Sequence, residues 1–286
     1  MNDNERELNY LDRADGRVAY TVDGSGPLVI AVPGMGDLRS VYRGLRGPLV
    51  AAGYRVAVVD LRGHGDSDTT FMVHGDAATG QDILALIDEL GGPAIVLGNS
   101  MGASAAAWAA AERPDAVAGL VLLGPFLREP MTNRLAQAAM RMLYRALFAR
   151  PWGAAAWTKY YARLNKGTQA PWLDEHRAAI HRSLREPGRL RSLRQLAVAL
   201  NHAEVEVRLP DIAAPSLVVI GDQDPDFPSP AEELAWATAA IRGEGVLVPD
   251  AGHYPQAQQP AVVLEHLLPF LGTILPTAQN PGSTDG

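Results

Sequence analysis

The chain has 286 residues, 47% hydrophobic and 20% charged, which is enough to bury a large core as one domain or as one domain with an insertion. Its 25 basic and 32 acidic residues leave a net charge of −7, which disfavours nucleic acid and anionic membrane as partners. No cysteine is present, so disulfides, thiolate nucleophiles and cysteine-bound zinc are excluded, and a cytoplasmic location is expected.

The start, MNDNERELNY, lacks the basic-then-apolar order of a signal peptide. Residues 17–22 read as a strand between Gly16 and Gly24. Residues 28–32 form an apolar run that ends in PGMGD, and residues 54–59 form another that ends in DLRGHGDSD. Residues 76–90 carry Ile83, Leu84, Ile87 and Leu90 at helical spacing. The short run 94–97 stops at GNSMG, residues 103–111 are strong helix formers, and 117–123 is a further apolar strand. The longer run 117–127 stays far below the ~20 residues of a membrane span. Uninterrupted apolar strands alternating with helices predict a mostly parallel, doubly wound α/β sheet covered on both faces.

From about 127 to 209 the pattern changes to helices alone, which predicts an inserted α-helical unit. Its first helix, 131–148, sets Arg134, Arg141 and Arg145 along one stripe, with Leu135, Met142, Leu143 and Leu147 away from it. The alternation then returns. Strand 217–220 leads into GDQDPDFP, helix 231–241 into strand 245–248, and PDAGH precedes an amphipathic helix over 262–271. The end, TAQNPGSTDG, reads as a frayed tail. The predicted organisation is a core of residues 1–126 and 210–286 with a cap at 127–209.

The segment Gly98-Asn99-Ser100-Met101-Gly102 fits G-x-S-x-G between a strand and a helix. That turn holds a serine hydroxyl clear of the sheet edge, and glycines on both sides remove Cβ atoms that would clash. The Met101 backbone N–H, at the start of a helix, is placed to stabilise an oxyanion. A serine needs a base, normally a histidine oriented by a carboxylate. Among seven histidines only His253 follows a late core strand in a glycine-containing loop. Asp222, Asp224 and Asp226 are the nearby candidates for the acid, and Glu129, after strand 117–123, is a second position. Pro33-Gly34-Met35-Gly36 ends an earlier strand, and the Met35 backbone N–H is the expected second oxyanion donor.

Together these segments resemble the α/β-hydrolase superfamily, serine-nucleophile type with a helical cap, over about residues 8–126 and 210–272. The resemblance implies an α/β-hydrolase fold and the chain order Ser100, Asp224, His253 for a catalytic triad. Asp224 is preferred for its Gly-x-x-Asp spacing from Gly221. DLRGHGDSD also resembles the superfamily's usual segment, where His64 shapes the loop. One departure is Pro33-Gly34, where the superfamily commonly has His-Gly. His74, His176, His181, His202 and His266 read as surface or packing residues. Neither Asp174 with His176 nor His64 with Asp66 and Asp68 has a clear metal-ligand spacing, and neither cofactor nor metal is expected.

In the insertion, Trp152, Trp157, Tyr160, Tyr161, Trp172, Met131, Met140 and Met142 either line an apolar pocket or join the insertion to the core. Residues 127–209 carry a net +9 against −16 elsewhere, which suits closure over an acidic core, attraction of a carboxylate substrate, or simply solvated helix faces. The expected function is hydrolysis of a small, largely apolar carboxylic ester or lactone through an acyl-enzyme. GNSMG also resembles the elbow of meta-cleavage-product C–C hydrolases, and a cofactor-free perhydrolase or haloperoxidase-like enzyme shares the triad. A non-catalytic receptor on this fold is a further reading. Epoxide hydrolases and haloalkane dehalogenases need Asp where this chain has Ser100.

Overall fold

The computed structural model describes residues 7–129, 133–275 and 277. Strands β1 (Asn9–Arg13), β2 (Gly16–Asp23) and β3 (Leu28–Val32) precede helix α1 (Arg43–Ala51). Strand β4 (Arg55–Val59), α2 (Asp76–Leu90), β5 (Ala94–Asn99), α3 (Met101–Glu112) and β6 (Val117–Leu123) follow. Helices α4 (Arg134–Leu147), α5 (Gly153–Leu164), α6 (Leu173–Arg185), α7 (Arg189–Ala199) and α8 (Ala203–Glu206) make the insertion. The core resumes with β7 (Ser216–Gly221), α9 (Pro230–Ile241), β8 (Glu244–Val248), α10 (Pro255–Gln258) and α11 (Pro260–Ile274). Met131 and the tail beyond residue 277 lie outside the described residues. Among the described residues no helix is long and apolar enough to cross a membrane.

The sheet order is β1-β2-β4-β3-β5-β6-β7-β8. β2 pairs antiparallel with β1 and β4, and the pairs from β4 to β8 are parallel. Side chains alternate between the two faces, so β3 sends Leu28, Ile30 and Val32 to one core and Val29 and Ala31 to the other. Helices α2, α3 and α9 cover the first face, while α1, α11 and part of the insertion cover the second. This double burial is why the central strands are unbroken apolar runs. Strand β1, absent from the sequence reading, buries only Leu11, so it carries little hydrophobic signal.

The insertion packs on the core through apolar residues such as Trp157, Tyr161 and Leu193, and four of its arginines also reach the core. Arg128 pairs with Glu233 and Arg208 with Glu112. Arg189 donates to the carbonyl of Ser67, and Arg191 donates to that of Thr69 at 3.1 Å, both in the DLRGHGDSD loop and its exit. Helix α4 packs loosely, leaving Leu135, Met142 and Leu143 of its apolar arc exposed.

Candidate active site

Ser100 lies between β5 and α3 with φ 55° and ψ −124°, a conformation that L-residues rarely adopt. Its neighbours explain the glycines. A Cβ on Gly102 would lie 2.5 Å from the carbonyl oxygens of Val32 and Pro33, and one on Gly98 would collide with the backbone of Ala103. A Cβ on Gly34 would reach 2.9 Å from that of Ser100, so the end of β3 can approach the elbow only as glycine. Met35 and Met101 both line the cavity that contains Ser100. Among the described residues neither of their backbone N–H groups has a hydrogen-bond acceptor, so both remain for a ligand oxygen.

His253 is buried against two carboxylates. Its Nδ1 lies 2.7 Å from Asp224 Oδ2 and 3.8 Å from Asp226 Oδ2, while the Asp226 N–H donates to Asp224 Oδ1 at 3.0 Å. Burial disfavours the imidazolium, but the Asp224 and Asp226 charges outweigh it and push the His253 pKa up to about 9. Ser100 and His253 line the same cavity of about 320 Å³, although no hydrogen bond joins Ser100 to the imidazole. Such contacts often close only around substrate. The His253 loop is held from several sides. Its N–H donates to Leu164 O at 2.9 Å, and Asn99 Nδ2 donates to His253 O at 3.1 Å. Gln258 Oε1 accepts from the N–H groups of Gly252 and Tyr254, and its Nε2 donates to Lys166 and Thr168 carbonyls of the insertion.

The insertion also holds the loop after β3. Trp157 Nε1 donates to Gly36 O at 2.9 Å, Tyr161 OH donates to Asp37 Oδ2 at 3.0 Å, and His176 Nε2 lies 2.6 Å from Asp37 Oδ1. These contacts brace the segment where the usual His-Gly is replaced by Pro33-Gly34. His176 is thus a fully buried link between insertion and core rather than a surface residue. Its Nδ1 lies 3.2 Å from Ser40 Oγ, a serine–histidine–aspartate row with the imidazole and carboxylate fully buried, which fits bracing better than turnover.

The other candidates fall away from His253. Glu129 lines a neighbouring chamber, and the carboxylate that meets His253 Nδ1 at 2.7 Å is that of Asp224. Asp222 spends its N–H on Val248 O. His64 is held down to about 4 by burial, and its Nδ1 faces Arg62 O at 2.9 Å, so it shapes its loop. Asp224, Asp226 and His253 place ligand atoms within 4.8 Å of one another, the one cluster among the described residues with metal-like spacing, but its hydrogen bonds are satisfied internally. Of the aromatic residues, Trp157 and Tyr160 line the cavity, Tyr161 and Trp172 join the insertion to the core, and Trp152 is exposed. Tyr160 OH also donates to Asp226 Oδ1 at 2.5 Å. Phe126 and His202 line the cavity without having been singled out for it by sequence. They lie 26 and 102 positions from Ser100 in the chain, a proximity that no local spacing carries.

Comparison with known proteins agrees with this architecture. A 2-hydroxy-6-oxononadienedioate/2-hydroxy-6-oxononatrienedioate hydrolase of Comamonas testosteroni is 31% identical over 147 residues, 50% of this chain and 49% of that protein. A pyrethroid hydrolase of Sphingobium wenxiniae is 36% identical over 106 residues, 36% of this chain and 37% of that protein. The chain thus matches about half, or less, of the length of these curated relatives. The solved structure of a thermophilic esterase from Thermogutta terrifontis superposes with a TM-score of 0.77 at 24% identity, covering 94% of this chain and 99% of that one. Residues 29–266 match the sequence profile of the alpha/beta hydrolase family, and with the sheet order and elbow described above the chain belongs to that family.

Proposed function

We propose that this protein is a serine hydrolase that cleaves a carboxylic ester or lactone through an acyl-enzyme, with residues 127–209 as a cap over the site. The observation that carries the reading is the convergence on one cavity of a positive-φ Ser100, a carboxylate-bound His253 and two amides without acceptors. Ser100 Oγ attacks the carbonyl carbon while His253 Nε2 takes its proton. Asp224 holds the proton on Nδ1 and stabilises the imidazolium. The Met35 and Met101 N–H groups receive the oxyanion. His253 then protonates the leaving alcohol, and the same ring activates water to release the acid. The walls supplied by Leu147, Phe148, Trp157 and Leu164 suit a largely apolar substrate. Nothing in this scheme calls for a metal or cofactor.

The test is turnover of a series of p-nitrophenyl esters by wild type and a folded Ser100→Ala variant. Loss of at least about 10³-fold in the variant supports the assignment, and equal activity refutes it. The Comamonas relative favours a second reading, cleavage of a C–C bond in a ring-fission dienoate. Loss of the dienoate's colour, with esters untouched, selects it.

A further inference from the structure

A second buried histidine–carboxylate pair opens on the same cavity. His202, beside the start of α8, places Nδ1 2.8 Å from Asp76 Oδ2, with the two side chains 7% and 1% exposed. Asp76 opens α2, where the helix dipole favours a carboxylate. The bond to Asp76 puts a proton on Nδ1 and leaves Nε2 as the nitrogen available to the cavity. Among the described residues Nε2 has no hydrogen-bond partner, and His202 lines both the Ser100 cavity and the adjoining chamber of about 80 Å³. The ring is stacked on Phe126 at 5.5 Å and 13°, and Phe126 in turn lies 5.8 Å from the His253 ring. His202 is therefore held by Asp76 and Phe126 and separated by one aromatic ring from the catalytic histidine.

This position makes His202 a polar point on a wall that is mostly apolar. The wall includes apolar Met35, Leu147, Phe148 and Leu200, with Tyr144 the other polar-tipped side chain shared with the adjoining chamber, and Nε2 is open to accept a hydrogen bond from what enters the cavity. The neighbouring chamber adds Glu129, Gln137, Arg141 and Asn201, so the space beyond His202 is polar. We propose that His202 is a specificity residue that binds a hydroxyl group at the far end of an otherwise aliphatic substrate, remote from the carbonyl that Ser100 attacks. With Nδ1 engaged by Asp76, Nε2 accepts that hydroxyl's hydrogen bond. The inference deepens the esterase reading and rests on it for the position of the carbonyl.

The experiment is calorimetric binding of methyl ketones, six to ten carbons long, each with and without a terminal hydroxyl. A ketone presents the carbonyl without a bond to hydrolyse. Titrations compare wild type with His202→Phe, which keeps the stack on Phe126, and with His202→Asn, whose shorter amide can still donate to Asp76 and guards against misfolding. At the best-fitting length, the hydroxy-to-plain affinity ratio should fall by about five-fold or more in a folded variant, the size of one net hydrogen bond. Affinity for the plain ketone should stay within about two-fold. A ratio that survives both substitutions, or wild type that does not distinguish the ketones at any length, overturns the proposal. If this discrimination appears while wild type hydrolyses no ester, the esterase reading fails and the hydroxyl subsite stands.

Discussion

The raised pKa of His253 makes a quantitative prediction about rate against pH. As the proposed base, His253 acts through its neutral ring, and its pKa is held at about 9, burial opposing and Asp224 and Asp226 prevailing. The neutral fraction is then about 1% at pH 7 and about one half at pH 9, so kcat/KM should climb about 50-fold across that interval. Asp226→Asn removes one of the two charges while keeping an acceptor for Tyr160 OH and leaving the Asp224 contact at 2.7 Å in place. The variant should reach its plateau at lower pH and be faster than wild type near neutrality. The assay is initial-rate kcat/KM for one p-nitrophenyl ester from pH 6 to 10, corrected for spontaneous hydrolysis. A wild-type profile already flat by pH 7, or an Asp226→Asn profile that overlays wild type, refutes the argument that these two carboxylates together set the base.

Three further outcomes follow from the geometry. Trp157→Phe removes the donor to Gly36 O and should lower kcat about five- to ten-fold with a smaller change in KM, because the proposed oxyanion loop loses a brace; equal effects on both parameters would indicate lost packing instead. Gly102→Ala drives a Cβ against two backbone carbonyls and should destabilise the fold by about 1–3 kcal/mol, read from the denaturant midpoint at unchanged slope. If the arginine contacts hold the proposed cap on the core, a rising salt series should raise KM, chiefly by weakening the partly exposed Arg128–Glu233 and Arg208–Glu112 pairs; a flat series would count against an electrostatic hold.

Much of the architecture was legible because it rests on local chemistry. The unbroken apolar runs of β3, β5, β6 and β7 announce strands buried on both faces, and the bounds expected for α2 and β6 are those observed. Strand β1 was not legible, since Asn9–Arg13 is mostly polar and pairs at the sheet edge with β2. The elbow around Ser100 was legible for a steric reason: a turn so tight excludes Cβ atoms at residues 98 and 102, and exclusion leaves glycine in the sequence.

What the sequence determines by itself is therefore the order of strands and helices, the elbow, and a short list of acids and histidines that follow core strands. Which carboxylate faces His253 is a matter of a few ångströms among Asp222, Asp224 and Asp226, and only the folded loop brings Asp224 to 2.7 Å while Asp226 stays at 3.8 Å. The links from Trp157, Tyr161 and His176 to residues 36 and 37, and the pairing of His202 with Asp76, join positions more than 120 residues apart. Hydrogen bonds between distant segments leave no period or spacing in the chain. They exist only once the sheet and the inserted helices have packed together and excluded the water that would otherwise satisfy the same groups.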